Sequence, residues 1–123
     1  MSTPDLPPRL DPGLACCIPL ATGAVMSAAQ AEQVTPLLKA LADPVRLRLV
    51  SLIAASPSGE ACVCDLNDAF ELTQATISHH LKVLHSAGLL DRDKRGVWVY
   101  YAVRPSALSA VASLFDTTAL TPA

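Results

Sequence analysis

The sequence predicts a mainly α-helical fold with a small β-hairpin, a winged helix-turn-helix. Three observations lead there. Apolar residues recur with helical spacing between Val34 and Ile53 and again between Ile77 and Leu84. After Gly88 the pattern changes period and becomes a hairpin rich in β-branched and aromatic residues. The chain has 123 residues, 51% hydrophobic but only 4% aromatic, which suits closely packed helices in one domain. A core of this size is modest, and a dimer adds burial that a monomer lacks.

The elements follow in order. Residues 1–26 are proline-rich, low in charge and without helical periodicity, and read as an arm carrying Cys16-Cys17. Ser27-Ala28-Ala29-Gln30 has the form of a capping box, with Ser at the cap and Gln three residues on. Val34, Leu37, Leu38 and Leu41 then mark one helical face, and Pro36 inside it should kink the helix or restart it with Thr35 as a new cap. Asp43-Pro44 opens a second helix whose Val45, Leu47, Leu49, Val50, Leu52 and Ile53 make it largely buried, and Ser56-Pro57-Ser58-Gly59 stops it. Residues 62–70 form a short third helix, and Glu71-Leu72 is a turn. Thr73 caps a fourth helix that buries Ile77, Leu81 and Leu84 and stops at Gly88. Leu89 to Arg92 is a strand, Asp93-Lys94-Arg95-Gly96 a turn, and Val97 to Val103 a second strand. A last helix from Pro105 places Leu108, Val111 and Leu114 on one face. The domain so defined spans residues 27–116, with 117–123 as a flexible tail. A short third helix, a tight turn, a fourth helix and a basic hairpin make a helix-turn-helix and its wing.

Net charge is −2, which by itself argues mildly against nucleic acid. The distribution argues for it, because residues 73–104 hold Lys82, Arg92, Lys94, Arg95 and Arg104 against Asp91 and Asp93. Phosphate contact needs a local basic surface, not a basic protein. Gln74, Thr76, Ser78 and His79 on the exposed start of the fourth helix suit base edges, Lys82 suits phosphate, and Arg92, Lys94 and Arg95 suit phosphate or the minor groove. The partner expected is double-stranded operator DNA. A symmetric dimer sets the two reading helices roughly 34–36 Å apart, with the first and last helices as its contact surface. His80 is as well placed to hydrogen-bond within the domain as to meet DNA.

Four cysteines form two tight pairs, Cys16-Cys17 and Cys62-Val63-Cys64. The N-terminus lacks a basic region followed by an apolar one, and Leu14 to Ala31, though uncharged, is broken by Pro19, Thr22, Gly23, Ser27 and Gln30. No membrane association is expected, and a reducing cytoplasm keeps the thiols free to bind metal. A lone helical cysteine is more often a small buried hydrophobe, a reading that applies best to Cys64. No nucleotide-binding loop is present and no general base stands near a thiol, so no enzyme is expected. A Cys-x-Cys dithiol redox or metal carrier remains as a different class.

The stretches Leu38 to Arg48, Cys62-Val63-Cys64-Asp65-Leu66 and Thr76 to Leu81 with the wing after it resemble the ArsR/SmtB family of metal-sensing repressors, over about residues 32–115. The resemblance implies a homodimer on a palindromic operator that leaves when metal binds. Cys-Val-Cys-Asp-Leu is similar to the metal box of the arsenic-responsive members. Better-known arsenic sensors add a third cysteine soon after, where this chain has Asn67-Asp68-Ala69, so Cys16-Cys17 is the natural source of the missing ligand. Zinc-type members use Asp and His on the last helix, and residues 105–123 contain no His and one acid, Asp116.

A sulfur-only set from Cys16, Cys17, Cys62 and Cys64 favours arsenic(III), then antimony(III), cadmium or lead, with no organic cofactor. All three His lie on the reading helix, which disfavours a mixed Cys/His zinc site. Residues i and i+2 of a helix point roughly 200° apart. On an intact helix Cys62 and Cys64 therefore cannot grip one small ion. Either the helix start unwinds, or one of them joins Cys16 and Cys17, the preferred route. A cadmium- or lead-responsive or thiol-redox-responsive repressor is the alternative within the same class.

Overall fold

The computed structural model describes Leu20 and residues 25–117. Cys16 and Cys17 lie outside the described residues, as does most of the expected arm and tail. The order is α1 (Ala28–Leu41), α2 (Pro44–Ala55), a 3-10 turn (Pro57–Gly59), β1 (Glu60–Cys62), α3 (Val63–Asp68), α4 (Gln74–Ser86), β2 (Leu90–Arg95), β3 (Trp98–Val103) and α5 (Pro105–Leu114). The chain divides into two compact units, Lys39–Arg104 and the flanking segments up to Leu38 and from Pro105.

In the flanking unit the capping box forms as its residues dictate. The Ser27 N–H donates to Gln30 Oε1 (2.9 Å) and the Gln30 N–H to Ser27 Oγ (3.1 Å). α1 then runs through Pro36 as one element. Thr35 does not start a new helix. Its hydroxyl donates back to the Ala31 carbonyl (2.6 Å), as a residue inside a helix does. Val34 and Leu37 are buried. α5 buries Ala107, Ala110 and Leu114, while the expected Leu108 and Val111 are half-buried, so the stripe is shifted by one position toward the small residues. The Leu114 carbonyl accepts from the Leu20 N–H (2.9 Å).

In the central unit Asp43 caps α2, its Oδ1 accepting from the N–H groups of Val45 (2.8 Å) and Arg46 (3.2 Å), with Pro44 at the first helical position. α2 is less buried than its composition suggests. Leu49, Val50 and Ile53 are inside, but Leu47 and Leu52 are exposed, because the helix covers the core with one stripe only. Ser58 (φ 61) and Gly59 (φ 76) then turn the chain back in left-handed backbone, into a third strand that the sequence does not announce. β1 pairs antiparallel with β3, Glu60 opposite Ala102, Ala61 opposite Tyr101 and Cys62 opposite Tyr100, giving the sheet order β1-β3-β2.

The wing also differs from expectation. β2 continues to Arg95, which pairs with Trp98, so the turn is Gly96-Val97 and not Asp93–Gly96. Gly96 has φ 64 and Val97 is not left-handed, the pattern of a type II′ hairpin turn. α3 starts at Val63, one residue after the expected start, and ends at Asp68 with Leu66 fully buried. Thr73 caps α4, accepting from the Thr76 N–H (3.1 Å), and Ile77, Leu81 and Leu84 are buried. Gly88 (φ 90) closes that helix after the Ala87 C-cap. α2 packs on α4 and β3, and α4 on α3 and β2.

Candidate nucleic-acid interface and thiol pair

Gln74, Ser78, Lys82 and His85 recur at helical spacing along one side of α4 and line a half-open groove of about 760 Å³. Arg92, Trp98, Val99 and Tyr101 of the wing form the opposite wall, and Cys62, Val63, Cys64 and Asn67 form its foot. Polar donors, two basic side chains and an exposed helix side thus converge on one concave surface. Of the expected DNA residues, Gln74, Ser78, Lys82 and Arg92 share this groove. His79 and Lys94 are exposed but do not line it. Thr76 is half-buried, and its hydroxyl lies 2.8 Å from that of Thr73, in the cap of the helix. Arg95 is drawn across the outer side of the wing by carboxylates.

His85 and Trp98 were not expected. His85 stands eleven residues after Gln74, so the helical period alone places it on the same stripe, and its ring meets Tyr101 edge-on at 6.4 Å. Trp98 sits at the strand end beside the turn, half exposed, a place that only the register reveals.

His80 faces inward to Arg46. Arg46 Nη1 lies 3.2 Å from His80 Nδ1, while its Nε donates to the Ala40 carbonyl (2.7 Å) and its Nη2 to that of Lys39 (3.3 Å). One guanidinium satisfies the last carbonyls of α1 and fixes the orientation of α4. Asp43, whose Oδ2 is 4.0 Å from Arg46 Nη1, completes the joint. The backbone N–H of Arg46 is the main cause that holds the Asp43 carboxyl below the usual carboxylate range.

The thiol pair overturns the helical geometry expected of it. Cys62 is the last residue of β1 and the N-cap of α3, with φ −75 and ψ 147, and is not itself helical. Its Sγ accepts from the Cys64 N–H (3.4 Å), and the two sulfurs lie 2.6 Å apart. The rotation argued for two helical residues does not apply across a strand-to-helix junction. Both sulfurs converge while α3 stays intact. Both cysteines are free, Cys62 buried and Cys64 exposed. The hydrogen bond to Cys62, and secondarily desolvation, push the Cys64 thiol up.

These residues fit part of a soft-ion site. Two thiols converge, as a three-thiol pyramid needs, and among the described residues no group of three or more His, Cys, Asp or Glu could hold a metal ion. Further donors would have to come from elsewhere. No helix among the described residues is long and apolar enough to cross a membrane.

Fold and groove define a winged helix-turn-helix DNA-binding regulator. Residues 43–92 match the family described as "Bacterial regulatory protein, arsR family". The arsenic resistance transcriptional regulator ArsR1 of Pseudomonas putida is 47% identical over 76 residues, 60% of this chain and 58% of that protein. The match thus spans less than two thirds of that relative's length. The arsenical resistance operon repressor of Bacillus subtilis is 39% identical over 75 residues, 61% of this chain and 70% of its own length. A crystal structure of a possible transcriptional regulator for arsenical resistance superposes with a TM-score of 0.60 at 37% identity, covering 70% of this chain and 86% of that one. The chain belongs to the arsR family of bacterial regulatory proteins. Its members are DNA-binding transcriptional regulators, not enzymes.

Proposed function

We propose that this chain is an arsenite-responsive transcriptional repressor of the cytoplasm that binds a palindromic operator as a homodimer and leaves it when arsenic(III) takes its cysteine thiolates. The observation that carries this is the position of the thiol pair. Cys62 and Cys64 meet sulfur to sulfur at the foot of the groove between α4 and the wing. The arsenical repressors among its relatives support the choice of ion.

In this reading α4 lies in the major groove, with Gln74, Thr76, Ser78 and His79 near base edges and Lys82 on phosphate. Arg92 and Lys94 supply the wing contacts, while Arg95 is held by Glu60 and Asp93. Arsenic(III) is captured by Cys62 and Cys64 together with a thiol of Cys16-Cys17, from the same subunit or its partner. Closing that third bond brings the arm to the groove foot, where it competes with DNA. Antimony(III), cadmium and lead share the sulfur preference.

The sulfur contact supports a second reading, oxidation of the pair. A peroxide takes two electrons and two protons from the thiols, leaving a Cys62–Cys64 disulfide and two waters. A gel shift on the operator with stoichiometric arsenite, cadmium or peroxide decides. Release by arsenite supports the first reading. An intact complex with arsenite sinks it; release by peroxide alone selects oxidation of the pair, and release by cadmium alone selects a cadmium-responsive repressor.

A further inference from the structure

On β2 and β3, Asp93, Arg95, Trp98 and Tyr100 belong to paired positions of the wing, Asp93 opposite Tyr100 and Arg95 opposite Trp98. Arg95 extends over the Tyr100 ring, 4.4 Å from its centroid, toward β1. There Nη1 and Nη2 each donate to one oxygen of Glu60 at 2.9 Å, and Nε donates to Asp93 Oδ2 at 2.8 Å. The two parallel N–H···O bonds to Glu60 are the arrangement in which a guanidinium grips a phosphate. Among the described residues, Arg92 and Lys94 carry no such ion pair.

We propose that Glu60, assisted by Asp93, is a built-in phosphate mimic that withholds Arg95 from DNA and thereby sets how strongly the wing binds any duplex. The physical case is one of occupancy. DNA binding through phosphates is sequence-independent and grows with the number of cations offered. A third free cation on each wing would raise affinity for all DNA alike and so lower the contrast between operator and bulk. The clamp is exposed enough to open, with the Arg95 side chain 48% and that of Glu60 27% accessible, so it competes with phosphate and is not a sealed core contact. The role holds whichever ligand the thiols take.

The test is fluorescence anisotropy of the full chain on a mixed-sequence duplex roughly three helical turns long, titrated across salt. Glu60→Gln should bind about threefold tighter or more at low salt, and the slope of log affinity against log salt should steepen by about 0.9 per wing engaged. Asp93→Asn should shift both in the same direction by less, which keeps the test intact if Glu60→Gln folds poorly. In an Arg95→Gln background neither change should alter affinity or slope. An unchanged slope, weaker binding, or the same gain without Arg95 would overturn the proposal and leave the pair a simple staple of the sheet.

Discussion

The Sγ of Cys62 stands 2.6 Å from the Sγ of Cys64 because one ends a strand and the other lies in the first turn of a helix. The same junction makes Cys62 a cap, and this separates structure from chemistry. Serine is a better N-cap than cysteine, so Cys62→Ser should keep α3 and unfold within about 1 kcal/mol of wild type. It should nonetheless lose arsenite binding, as should Cys64→Ser. Trp98, the single tryptophan, lines the groove with both thiols and provides the readout. Its emission should respond to arsenite in wild type and not in either variant. A normal response in Cys62→Ser and Cys64→Ser would remove the pair from the site.

The arm is tested separately. The double variant Cys16→Ser with Cys17→Ser should retain DNA binding and abolish its release by arsenite. Normal release there would show that the third donor comes from elsewhere.

Proton balance distinguishes the candidate ions. Arsenous acid and three thiols give a tris-thiolate and three waters, with no net proton. A divalent ion must displace each thiol proton, and Cys64 holds its proton above the ordinary thiol range because Cys62 hydrogen-bonds to it. Cadmium affinity should therefore rise with pH by about tenfold per unit for each proton displaced, while arsenite affinity stays nearly flat. Calorimetry in buffers of different ionisation heat measures the protons directly. The same shift bears on stability. The native state keeps the Cys64 proton longer than the unfolded chain, so this contribution is in place below the ordinary thiol range and is lost as pH rises through the native value.

Arg46 should be the most sensitive charged residue of the central unit. Arg46→Ala leaves two carbonyls of α1 and His80 without their donor, and should cost about 2 kcal/mol in denaturant unfolding. Arg46→Lys should recover little, because an ammonium cannot span the three acceptors. Asp43 adds a pH signature. Its carboxyl is lowered in the native state, so its contribution is present above the ordinary carboxylate range and disappears as pH falls through the native value. Asp43→Asn, which still caps, should flatten that acid limb.

What was legible in the sequence was local. The caps at Ser27, Asp43 and Thr73 and the stop at Gly88 each depend on residues two to four apart, and all four form as read. The features that escaped depend on distant partners. β1 is three residues long and exists because β3, about forty residues on, accepts it. Arg95 meets Glu60 across 35 positions, and its pairing with Trp98 carries β2 on to Arg95 and leaves Gly96-Val97 as the wing turn. β1 takes Cys62 out of the helix, and with it the wide separation that keeps a helical i, i+2 pair from chelating. The thiol cluster and the polar stripe of α4 were visible as residue types, but not that they share one groove.

Adjacent histidines on α4 provide the sharpest separation of reading from support. His79 is exposed, while His80 lies 3.2 Å from Arg46 and 34 positions from it in sequence. Neighbouring helical residues point about 100° apart, so only one of the two can face DNA. His79→Ala should weaken operator binding severalfold, on the scale of about 1 kcal/mol for one base-edge contact, with an unchanged unfolding midpoint. His80→Ala should lower the midpoint and affect DNA binding only through the tilt of α4. Combined with Arg46→Ala it should add little further destabilisation, since the two share one contact. Full additivity in that double mutant, or a stability loss in His79→Ala, would reverse the assignment.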